Sequence, residues 1–79
     1  MEKEKSRMIL DGLDKIDWIA YKEPREVRTR DGTYLEVEMM DDTLHGGVLR
    51  ALYSIAYLAE SEIRIFIKNS RFKVRFHVD

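Results

Sequence analysis

Cysteine is absent from the chain, which removes disulfides, thiolate nucleophiles and Cys-based metal sites together. Proline occurs once, at Pro24, glutamine does not occur, and Asn69 is the only asparagine. No apolar run approaches the roughly 18 residues a membrane span needs. No apolar core follows MEKEKSR, so neither a membrane partner nor a signal peptide is expected. These absences predict a cytoplasmic protein. Few amides beside 37% charged residues resembles the composition of hyperthermophile proteins.

At 79 residues there is room for one small domain over 1–79. A chain of this size buries only roughly 60–65% of its unfolded surface and is marginal without help. Disulfides cannot supply that help, which leaves oligomerisation as the common alternative.

The richest stretch is TLHGGVLRALYSIAYLA, Thr43 to Ala59, whose spacing predicts a central helix. A helix on one sheet needs a single apolar stripe about 100° wide, and this one has two. Leu44, Val48, Ala51, Leu52, Ile55 and Ala59 form the first; Leu49, Tyr53 and Tyr57 form the second, at i, i+4, i+8. The first stripe can face the chain's own sheet, and the second calls for a partner. Asp41, Asp42 and Thr43 are the N-cap candidates.

Residues 2 to about 21 read as an N-terminal helix with Ile9, Leu13, Ile16 and Ala20 on one face, although Asp17–Tyr21 also suits a short strand. Glu26 to Met40 reads as a hairpin around Asp31-Gly32. A three-residue loop, Arg30 to Gly32, pairs Val27 with Leu35 and gives one apolar face (Val27, Leu35, Val37, Met39). The last segment reads as a second hairpin turning at Asn69-Ser70, which pairs Ile67 with Phe72, Ile65 with Val74 and Ile63 with Phe76. The order αββαββ predicts an α+β two-layer sandwich: a four-stranded antiparallel sheet with two helices on one face.

The net charge of −1 hides an asymmetry. Ile63 to Val78 holds Arg64, Lys68, Arg71, Lys73 and Arg75 with no acid, leaving 9 Lys and Arg against 15 Asp and Glu elsewhere. One reading is nucleic-acid binding by Arg64, Lys68, Arg71, Lys73 and Arg75, with Phe66 or Tyr34 stacking on bases. The other has Glu36 and Glu38 of the neighbouring hairpin interleaving with those cations. A winged-helix reading fails, because Val48 to Ala59 offers almost no polar side chains to base edges.

The stretch Thr43-Leu44-His45-Gly46-Gly47-Val48-Leu49, with Ala51, Leu52 and Ala56, resembles the start of the central helix in hotdog-fold thioesterases, which an HGG signature opens. The resemblance spans residues 43–59 and implies acyl-CoA hydrolysis in an obligate dimer. It departs at Ser54, where the family's acidic catalytic residue would stand, and in the two strands that follow the helix, against the several the hotdog fold needs. The plainer reading is that Gly46-Gly47 permits close packing of the first helical turn, with His45 near the cap.

His45 and His77 are the only histidines and HExxH is absent, so no metal or other cofactor is expected. Ser54 and Ser61 have no evident base. The expectation is a non-enzymatic association module, a homodimer or a binder of another protein, with Leu49, Tyr53, Tyr57 and Trp18 at the interface.

Overall fold

Two hairpins whose apolar residues alternate bring one oily face to a common sheet, and two amphipathic helices close over it. The computed structural model describes residues 2–16, 18–41 and 43–79, without the side chains of Glu2 and Lys3. The elements are α1 (Glu2–Asp14), β1 (Arg25–Thr29), β2 (Gly32–Glu38), α2 (Gly46–Leu58), β3 (Ile63–Lys68) and β4 (Arg71–His77). All strand pairs are antiparallel, in the spatial order β1-β2-β4-β3. The αββαββ order and the open four-stranded sheet are those the sequence predicts.

The core is one cluster. Ile9 and Leu13 come from α1, Val48, Leu52, Ile55 and Ala56 from α2, and Leu35, Val37, Val74 and Phe76 from alternate positions of the sheet. The β3–β4 hairpin keeps the predicted register, Ile63↔Phe76, Ile65↔Val74 and Ile67↔Phe72. Its two-residue turn holds Asn69 (φ 54) and Ser70 (φ 63) left-handed, the conformation that matches the strands' twist.

The first hairpin differs from expectation. Thr29 pairs with Gly32 and Val27 with Tyr34, so Arg30 and Asp31 alone form the loop. This one-residue shift turns Val27 away from the helices. Local polar chemistry decides it: the Thr29 hydroxyl accepts the Asp31 N–H (3.1 Å) and donates to the Gly32 carbonyl (3.3 Å). The shift also sets Arg25 opposite Glu36. On the helix side, Glu26 and Arg28 share a cleft with Arg7, Leu10, Asp11 and Asp14 of α1, so no apolar residue is required there.

Both helices are shorter than predicted. α1 stops at Asp14. Beyond it Ile19, not Ala20, is the buried residue, and Tyr21 forms an antiparallel bridge to Met39. Gly12 lets α1 approach α2 closely: a Cβ there would lie 3.1 Å from Ile55 Cγ1. α2 begins at Gly46, with His45 at the N-cap and no side-chain capping bond. Thr43 and Asp41 are exposed and do not cap it; Asp42, like Asp17, lies outside the described residues. The helix ends in a Schellman motif, Ser61 N–H to Ala56 O (2.8 Å) and Glu60 N–H to Tyr57 O (3.1 Å), with Glu60 left-handed at φ 53.

Candidate interaction surface

Every turn of α2 buries one side and leaves the other bare. Val48, Leu52, Ile55, Ala56 and Ala59 are buried, and Leu44 and Ala51 partly so, as the first stripe requires. Of the second stripe Leu49 is half-buried, while Tyr53 is 55% and Tyr57 82% exposed. Leu58, at 71% exposed, joins Tyr53 and Tyr57 around a shallow hollow with Arg50 and Ser54. Sequence periodicity does not single out Leu58, since it falls between the two stripes. It stands at the outer rim of the cleft between α1 and α2, with Met8.

The two flanks of α2 are unlike. α1 covers the flank carrying Ile55, and its exposed Met8 shares a cleft with Leu58. Leu49 and Tyr53 lie about 120° and 160° round the helix from Ile55, on the opposite flank. Since α1 sits beside β1, that opposite flank is the one toward β3. Trp18 is exposed, but it stands against Gly47, 3.8 Å from where a Cβ would be, about 120° round from Tyr53. The structure therefore does not gather Trp18 with Leu49 and Tyr53.

Among the described residues, nothing lies near Gly46 and only Trp18 meets Gly47, at ordinary contact distance, so the glycine pair does not serve close packing of the first turn. His45 does sit at the cap, exposed, and Ser54 is exposed on the far face of α2.

On the sheet's other face, the basic residues of β3 and β4 meet acids from β2. Glu36 is 3% exposed and takes Arg75 Nε at 2.8 Å, Arg25 Nη2 at 3.0 Å and Lys73 Nζ at 3.4 Å. Burial pushes its carboxyl up, but hydrogen bonds from Arg75, Arg25 and Lys73 outweigh that and hold its pKa down at about 2. Glu38 pairs with Lys22 (2.9 Å) and Lys73 (3.5 Å), and the Lys22 hydrogen bond chiefly lowers its pKa.

Arg75 stacks over Phe66 at 5.0 Å. Arg64 lies over Tyr34 at 5.5 Å and 3.8 Å from Asp31, and Arg71 donates to the Met40 carbonyl at 2.7 Å. Of the residues expected to contact nucleic acid, Lys73, Arg75 and Phe66 are thus held within the sheet's own network and Tyr34 is buried, while Arg64 and Lys68 stay exposed.

Elsewhere the Tyr21 hydroxyl donates to Asp14 at 2.6 Å, and that bond, with burial and the adjacent carboxylate, raises its pKa to about 12. His77 covers Gly32, where φ is +134 and a Cβ would lie 2.5 Å from the imidazole Nε2. Among the described residues no group of three or more His, Cys, Asp or Glu could hold a metal, and no helix is long and apolar enough to cross a membrane.

No family model matches the chain, and no curated protein or solved structure does either.

Proposed function

We propose that this chain is a small non-catalytic association module that binds a second copy of itself through the outward face of α2, in a reducing cytoplasm. The observation that carries the reading is the exposure of Tyr53, Tyr57 and Leu58 on a helix whose opposite face is already seated in the core. Scattered exposed apolar residues are ordinary, but aromatic and aliphatic side chains gathered round one hollow are the composition of an interface centre.

Sedimentation equilibrium tests it. The wild-type chain is expected to dimerise at micromolar concentration, and Tyr53→Glu to shift it to monomer by burying a charge at the contact. A stable monomer at those concentrations, unchanged in Tyr53→Glu, overturns the reading.

Nucleic-acid binding draws less support, because Lys73 and Arg75 are already engaged by Glu36. A thioesterase draws less still, since the exposed His45 and Ser54 supply no pair of groups converging on a pocket.

A further inference from the structure

The sheet has two free edges, and they are built differently. β1 is short, carries Arg25, Glu26 and Arg28 among its five residues, and follows Pro24. Charge, brevity and proline are the usual means of keeping an edge from pairing with another chain. β3, IRIFIK, has none of them beyond Arg64 and Lys68 on its outer face, and its apolar Ile67 is 65% exposed.

The backbone of β3 is half satisfied. The His77 N–H bonds the Glu62 carbonyl at 2.9 Å, in register with the β3–β4 ladder. In an antiparallel ladder the bonded pairs alternate, so Arg64, Phe66 and Lys68 direct their backbone groups to β4. The N–H and C=O groups of Ile63, Ile65 and Ile67 therefore point out of the sheet edge.

We propose that β3 pairs with β3 of a second copy about a two-fold axis at Ile65, joining the two sheets into one of eight strands. This rests on the self-association reading above and gives it a second contact, at the sheet edge. Axes at Ile63 or Ile67 would leave much of β3 unpaired, and among the remaining registers the charges select. With the axis at Arg64, two arginines stand opposite each other; with it at Phe66, each Arg64 meets the partner's Lys68. Both place like charges opposite.

With the axis at Ile65, Ile63 faces the partner's Ile67, Arg64 faces the partner's Phe66, and Glu62 faces the partner's Lys68. About six backbone hydrogen bonds form between the copies. Leu49 and Tyr53, on the α2 flank toward β3, come to lie on the dyad side of the assembly.

Charge reversal tests the register. Within one chain Glu62 and Lys68 are about 20 Å apart along the strand, so they can compensate each other only between copies. Glu62→Lys and Lys68→Glu are each expected to weaken the dimer about tenfold, from two repelling pairs per assembly. The Glu62→Lys/Lys68→Glu double variant is expected to return to within about twofold of wild type. Ile67→Pro, which removes an outward N–H and none of the β4 ladder, is expected to be a folded monomer. Amide exchange at Ile63, Ile65 and Ile67 should slow as concentration rises through the dissociation constant.

Fast exchange at those three amides in a dimeric sample, or a double variant no tighter than the singles, overturns the strand pairing. A dimer lost in Tyr53→Glu but indifferent to Ile67→Pro and to the reversals overturns it while leaving the helix interface standing. A dimer lost in Ile67→Pro but intact in Tyr53→Glu supports the strand pairing and overturns the helix interface. A monomer throughout overturns both.

Discussion

Glu36 shows how much one side chain can organise. Its carboxylate sits almost fully buried among three cations from β1 and β4, which would otherwise repel one another. Its pKa of about 2 lies below the ordinary 4.5, so the folded state binds its proton less readily than the unfolded state does. The stabilisation is therefore complete above about pH 4.5 and is lost as pH falls from there toward 2, by roughly 2–3 kcal/mol in all. Urea denaturation at stepped pH should show that decline, and Glu36→Gln should lower stability at pH 7 and flatten the acid limb. An unchanged acid limb in the variant would contradict the assignment. That Glu36 and Glu38 interleave with the basic hairpin was legible in the sequence, because alternation put them on the same outer face. That one carboxylate would collect three partners was not, since it depends on β4 lying beside β2.

Among the elements, α2 ends less comfortably than it packs. Glu60 occupies the left-handed position that glycine usually takes after a helix, at φ 53. Among the described residues its side chain has no hydrogen bond that secures this place, whereas its carbonyl accepts from Lys5 Nζ at 3.0 Å, a bond any residue could supply. Glu60→Gly is expected to stabilise the fold by about 0.5 kcal/mol, the relief of a left-handed non-glycine residue less the added freedom of the unfolded chain. Thermal unfolding followed by circular dichroism measures it, and a lower midpoint would show that the strain is compensated in place.

The elements also differ in how far pattern alone could place them. The β3–β4 register was readable because Ile63, Ile65 and Ile67 match Phe72, Val74 and Phe76 through only one turn. The β1–β2 register was not, because REVRT contains a single apolar residue and the turn was decided by the Thr29 hydroxyl. The start of α2 was blurred by three competing caps, of which neither Asp41 nor Thr43 is used. That Tyr53 and Tyr57 stay outside the core could be read because the core stripe left them over. The β3 edge could not, because periodicity carries no information about strand order.

For the whole molecule, the proposed self-association would couple stability to concentration. A folded dimer that unfolds to separate chains gains about 1.4 kcal/mol per tenfold rise in concentration, which for two 79-residue chains moves the melting midpoint by about 4 °C. Calorimetry over a hundredfold range should follow that slope, and a midpoint independent of concentration would mean that the melting unit is the single chain.

The blunted edge at β1 then acquires a second significance. In the proposed dimer β3 is consumed at the dyad, and the free edges of the joined sheet would be two copies of β1, one at each end. Each presents a short charged strand preceded by Pro24, a poor template for a third chain. An open strand at both edges would let copies add without limit into a filament. In the proposed dimer growth has one productive direction and one terminator per chain, and assembly would close at two.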